Sequence, residues 1–136
     1  MVRKPRALVL DSWAVLAYLG GEASGQEVAD LISSAHENRT SMAMSIINAG
    51  EVWYILAREI SEARADEAVS DLKGLGIELI DADWQRTRMA GAYKARYRMS
   101  YADCFAAALA KERKASLATG DKEFKQVEDE VNVHWH

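Results

Sequence analysis

Hydrophobic and polar positions follow two rhythms along the chain. Short apolar runs with the length of buried strands alternate with longer segments that repeat at helical spacing. The strand-like runs are RALVL at 6–10, TSMAMS at 40–45, GIELID at 76–81, SLATG at 116–120 and VNVHW at 131–135. Between them, SWAVLAYL at 12–19 predicts a buried helix that stops at Gly20-Gly21. GQEVADLISSAHEN at 25–38 is amphipathic, with Val28, Leu31, Ile32 and Ala35 on one face. Helices are also predicted for IINAGEVWYILARE at 46–59 and for SEARADEAVSDLKGL at 61–75, capped by Ser61. Two more follow: WQRTRMAGAYKARYR at 84–98 and, after a Ser100 cap, YADCFAAALAKERK at 101–114.

Strands alternating with helices imply one α/β domain over residues 1–136. The expected form is a three-layer sandwich with a mostly parallel central sheet of four to five strands. No repeat or linker divides the chain, and the one proline, Pro5, precedes the first strand. In such folds ligands bind beyond the carboxyl ends of the strands. Asp11 directly follows the first strand, and Asp121 follows the fourth after Gly120.

Composition narrows the class. With 49% hydrophobic and 28% charged residues, the chain is neither disordered nor fibrous. Its longest uncharged apolar stretch, Trp13 to Leu19, is too short to cross a bilayer, and the apolar run before Asp11 is too short for a signal peptide. A single cysteine, Cys104, forms no internal disulfide, which fits a reducing cytoplasm; beside Asp103 it reads as a small buried apolar residue. The net charge of −4 argues weakly against a global field for nucleic acid.

Most of the 21 acids lie in polar stretches and are solvated surface charge. Four are different, and each has a plain structural alternative. Asp11 is placed to cap the next helix, with Ser12 as a competing cap. Glu51 shares a helix face with Ile47 and Ile55, and its nearest basic partner on the helix, Arg58, is seven residues on. Asp103 completes a capping-box pattern with Ser100, and Asp121 fits a turn. Taken together, two acids at strand ends and two on apolar helix faces can meet above the central strands. Clustered carboxylates repel unless a cation joins them. An all-oxygen donor set suits Mg²⁺ or Mn²⁺, whereas zinc would call for His or Cys.

At these residues the sequence resembles the PIN-domain family, and within it the VapC-like toxin ribonucleases. LDSWAVLAYL, SIINAGEVWYIL, SYADCFAAALAKER and SLATGDKEF occur in family order and at family-like separations. The resemblance matches Asp11, Glu51, Asp103 and Asp121 to the four acids of the family site. It matches Thr119 to the threonine of the T-x-D-x-x-F segment and Ser12 to the small hydroxyl residue after the first acid; Ser45 is a looser match. It implies a Mg²⁺- or Mn²⁺-dependent endoribonuclease, with Ser12, Thr119 and Ser45 supporting the acids. It further implies an RNA substrate, a cognate antitoxin protein and a homodimer, with Trp53 and Tyr54 as candidate partner contacts. The family places the third strand at a sheet edge, which leaves Asp81 and Asp83 outside the site.

Between Trp84 and Ser100 the chain carries Arg86, Arg88, Lys94, Arg96 and Arg98 and no acid. This is a solvated face or a strip of phosphate contacts leading to Asp103. Setting the four proposed metal ligands aside brings the net charge of −4 to zero, compatible with local RNA binding. His134 and His136 alternate on the last strand, where two ordinary surface histidines are preferred over a metal site. Two rival functions remain. One is a phosphatase using Asp11 as nucleophile, which commonly needs an acid at position 13, where this chain has Trp. The other is a non-catalytic RNA- or protein-binding module on the same fold.

Overall fold

Five strands, all parallel, form one sheet in the order β3-β2-β1-β4-β5. The computed structural model describes residues 7–21 and 23–136. The strands are β1 (Leu8–Leu10), β2 (Met42–Ser45), β3 (Ile77–Ile80), β4 (Ser116–Thr119) and β5 (Asn132–Trp135). Six helices connect them: α1 (Ser12–Gly20), α2 (Ala23–Glu37), α3 (Ile46–Glu59), α4 (Glu62–Gly74), α5 (Trp84–Arg96) and α6 (Tyr101–Arg113). The expected strand start at Arg6, and Pro5 ahead of it, lie outside the described residues.

Strand alternation sorts the core into two layers. Leu8, Leu10, Met42, Met44, Ile77 and Ala118 face one side, where they pack against α1–α4. Val9, Ala43, Ile80 and Leu117 face the other, against α5 and α6. Helix α6 is buried from Asp103 through Ala110, as expected of a helix apolar all round. Its alanines let it lie close to α3: the Asn48 amide of α3 donates to the Ala102 carbonyl at 3.0 Å. Helix α1 ends at Gly21, whose φ of 68° is the left-handed stop expected from the glycine pair.

Element ends shift by up to two residues, as at the starts of α2 (Ala23) and β2 (Met42), and two departures have a clear physical cause. Helix α5 stops at Arg96 rather than 98, because Tyr97 turns extended and donates its hydroxyl to Glu130 at 2.9 Å. After β4, Lys122–Val127 form a 3-10 helix that periodicity does not announce. It buries Phe124 and Val127, which a three-residue turn stacks on one side.

Strand order reverses between β1 and β4. One branch of the sheet runs β1-β2-β3 and the other β4-β5, so the crevice beyond their carboxyl ends is the switch point where α/β folds take ligands. The residues leaving these two strands are Asp11 and Gly120-Asp121. Among the described residues no helix is long and apolar enough to cross a membrane.

Candidate active site

Asp11 both caps α1 and faces the crevice. One oxygen, Oδ1, accepts the Ala14 amide at 2.9 Å, while Oδ2 accepts the Thr119 hydroxyl at 2.5 Å. The residue is fully buried. Burial pushes its carboxyl up to about 7; the bonds from Thr119 and Ala14 oppose the shift, and the charges of Asp121 and Glu51 add to it.

Thr119 links the two strand ends. Its hydroxyl donates to Asp11 and accepts the Asp121 amide at 3.0 Å. Gly120 allows this turn to sit against α1, since a Cβ there would fall 2.3 Å from the Trp13 ring. Gly120→Ala should therefore destabilise the fold by about 1–3 kcal/mol, the usual cost of overpacking. Thermal unfolding checks it, and an unchanged midpoint would mean that the indole swings aside freely.

Asp103 enters from the first turn of α6. Its amide donates to the Ser100 hydroxyl at 3.1 Å, the forward half of a capping box. The reciprocal bond goes elsewhere: the Ser100 amide donates to Glu123 Oε2 at 3.1 Å. This leaves the Asp103 carboxyl to face acids. One oxygen each of Asp103, Asp121 and Glu123 lies within 4.8 Å of the others. Burial is the main force pushing Asp103 up to about 9, followed by hydrogen bonds with Asp121 and Glu123 and the charges of Asp121 and Asp11. The loop before α6 is clamped by Gln126, which accepts the Arg98 amide and donates to the Arg98 carbonyl, both at 3.1 Å.

Glu51 projects from α3 and accepts the Ser12 hydroxyl. It pairs with no basic residue among the described ones; the expected competitor, Arg58, lies over the Tyr54 ring at 5.3 Å. Ser45 caps α3, accepting the Ile47 amide at 3.2 Å, and so fixes the start of the helix that carries Glu51. Its hydroxyl makes no bond to the acids.

The structure thus brings Asp11, Glu51, Asp103 and Asp121 to one crevice, with Thr119 and Ser12 bonded to them. Two participants escaped the sequence reading. Glu123 stands two residues beyond Asp121 in a segment that looks like solvated charge. Asn48 stands one helical turn before Glu51, a polar residue on an apolar face.

Comparison with known proteins decides the family. A family model described as PIN domain matches residues 8–130. The chain belongs to the PIN domain family. Similar solved structures include VapBC2 from Rickettsia felis bound to a promoter DNA fragment, at 16% identity and a TM-score of 0.75, covering 94% of this chain and 97% of that one. VapC20 from Mycobacterium tuberculosis, described as a toxin that cleaves the sarcin-ricin loop, is 17% identical with a TM-score of 0.72, covering 89% and 95%. DNA-bound VapBC from Salmonella typhimurium is 20% identical with a TM-score of 0.69, covering 95% and 97%. No curated protein sequence matches the chain.

The donor chemistry of this PIN domain fits a hard divalent cation. Every candidate ligand is a carboxylate, and two of them are held far above their ordinary range by burial and by neighbouring acids. A cation at the cluster removes both penalties, and oxygen-only sites favour Mg²⁺ or Mn²⁺. Cys104, on α6 itself, is buried in the hydrophobic layer that α5 and α6 form with the sheet and is not among the grouped ligands.

The basic stretch divides. Arg86 is tied to Glu112 at 3.1 Å and Asp83 at 3.2 Å, and Arg96 to Glu130 at 3.6 Å, over the rings of Tyr93 and Tyr97. Arg88 and Arg98 are exposed and carry no ion pair among the described residues. Of the aromatic pair, Trp53 donates its indole N–H to Asp66 at 2.8 Å, joining α3 to α4, and Tyr54 is exposed.

Proposed function

We propose that this PIN domain is a Mg²⁺- or Mn²⁺-dependent endoribonuclease and the toxin component of a type II toxin–antitoxin pair. The observation that carries the reading is the pair of buried carboxyls, Asp11 and Asp103, held near protonation among Asp121, Glu51 and Glu123 at the switch point of the sheet. Like charges are rarely gathered in a buried crevice without a cation to join them.

Asp11 and Asp103 would hold the ion, with Asp121 and Glu51 completing its shell directly or through water. When bound, the ion would acidify a water and offset charge on the phosphate. The remaining residues orient these ligands. Thr119 holds Oδ2 of Asp11, Ser12 holds Glu51, and Glu123 occupies the Ser100 amide so that Asp103 is not drawn back into a cap. Arg88 and Arg98 are the side chains of the basic stretch left for phosphate contact, whereas Arg86 and Arg96 must first break ion pairs. The partners are a cytoplasmic RNA, an antitoxin protein of the kind seen in the VapBC complexes, and a second copy of the chain, with Trp53 and Tyr54 as candidate contacts.

The test is cleavage of a mixed RNA substrate by the purified chain with Mg²⁺ or Mn²⁺ and with EDTA. Endonucleolytic products that appear with either cation and vanish with EDTA support the reading. RNA binding without cleavage under both cations would replace it with a binding module.

A further inference from the structure

Away from the acids, a pair of histidines stands at the seam between the last strand and α2. His134 and His136 stand two residues apart on β5 and the residue after it, so both side chains leave the same face. Their rings stack at 4.7 Å, and Nδ1 of His134 lies 3.0 Å from Nε2 of His136. The other nitrogen of His136, Nδ1, is 3.4 Å from Oε2 of Glu27 on α2 and makes no hydrogen bond among the described residues. The His136 side chain is only 3% exposed. Beside the pair is a shallow, open surface depression lined by Glu27, Asp30, Leu31, His134, Trp135 and His136.

We propose that His134 and His136 form a second metal site, for Zn²⁺, separate from the carboxylate site. Nitrogens bound to zinc at about 2.0–2.1 Å from the metal, with ligand angles of roughly 90–110°, lie about 2.9–3.4 Å apart. The two facing nitrogens, which share a hydrogen bond in the metal-free protein, already have that spacing, and a metal ion would replace the shared proton. Imidazole is a borderline donor that suits zinc and is a poor match for the oxygen-seeking Mg²⁺. Glu27 supplies the other half of the arrangement. A metal-bound histidine nearly always donates its second ring N–H to a carboxylate or carbonyl, which fixes the ring and raises its basicity. His136 Nδ1, buried and facing Glu27, is placed for that bond. No third side-chain ligand is grouped with the pair among the described residues, so water completes the four-coordinate shell on the open side. The sequence favoured two surface histidines because alternation shows a shared face but not the burial of His136 or the carboxylate behind it.

The test is calorimetric titration of ZnCl₂ into the tag-free chain, with Asp103→Asn, His134→Ala and Glu27→Gln variants alongside. The expected result is one zinc bound to the parent that survives Asp103→Asn, is lost in His134→Ala and is weakened about tenfold in Glu27→Gln. His134 is exposed, so its loss should leave the fold intact, which circular dichroism checks. Cu²⁺ bound to the parent should show hyperfine coupling to two imidazole nitrogens. Zinc binding that is absent, unaffected by His134→Ala or abolished by Asp103→Asn would overturn the proposal, the last by assigning the ion to the acids. None of these outcomes depends on ribonuclease activity.

Discussion

Asp103→Asn should lower metal-dependent RNA cleavage by on the order of 10³-fold or more, about 4 kcal/mol of transition-state stabilisation, without unfolding the protein. In the cation-free protein Asp103 is pushed up to about 9, so at neutral pH it already carries a proton. Asparagine has nearly the size and hydrogen-bonding capacity of that neutral carboxyl. The backbone bond to Ser100 is untouched, and so is the donation from Ser100 to Glu123. What disappears is the ability to become an anion when a divalent cation arrives. Cleavage should therefore collapse while the unfolding midpoint in EDTA stays level or rises. Retained cleavage would remove Asp103 from the catalytic machinery. Lost cleavage with a sharply lowered midpoint would show a structural role instead.

The elements were legible because their signals are local. Helix α3 begins and ends where its pattern does, at Ile46 and Glu59, because Ser45 caps it and its apolar stripe is continuous. The parallel sheet followed from strands separated by helical segments, while the central place of β1 in the strand order was not read from the sequence. The 3-10 helix was not legible, since Phe124 and Val127 repeat at three residues for too short a span. In the site, the four acids stood out by charge in apolar surroundings. Glu123 did not, because its partner, the Ser100 amide, comes from another part of the chain. The same limit hid the pairing of Arg86 with Glu112 and of Arg96 with Glu130. A charge run in a sequence shows what is available and not which charges are already spent on one another. The phosphatase alternative still lacks its second acid, since position 13 is Trp, whose ring packs against Gly120.

In EDTA the stability of the protein should fall as pH rises from about 4 to about 9, and added Mg²⁺ or Mn²⁺ should reverse the trend. Asp11 and Asp103 have an ordinary value of 3.8 and are raised in the folded state to about 7 and about 9. Below the ordinary value both states hold these protons, and the two groups contribute no slope. Between the ordinary and raised values the native state binds more protons than the unfolded one. Unfolding then releases protons and is favoured by higher pH, by about 1.4 kcal/mol per pH unit for each fully linked group. The Asp11 contribution ends near pH 7, so Asp103 dominates the span from 7 to 9. Asp103→Asn should flatten that upper span first, and by removing a neighbouring acid it should soften the lower one as well. A divalent cation binds the ionised carboxylates and competes with protons, so its stabilisation should grow with pH across the same range. Unfolding midpoints measured from pH 4 to 9, with EDTA and with each cation, check both halves. A midpoint that climbs with pH in EDTA would mean that the two carboxyls are not held in a crowded buried crevice. The case for a cation-binding nuclease site would then lose its physical basis.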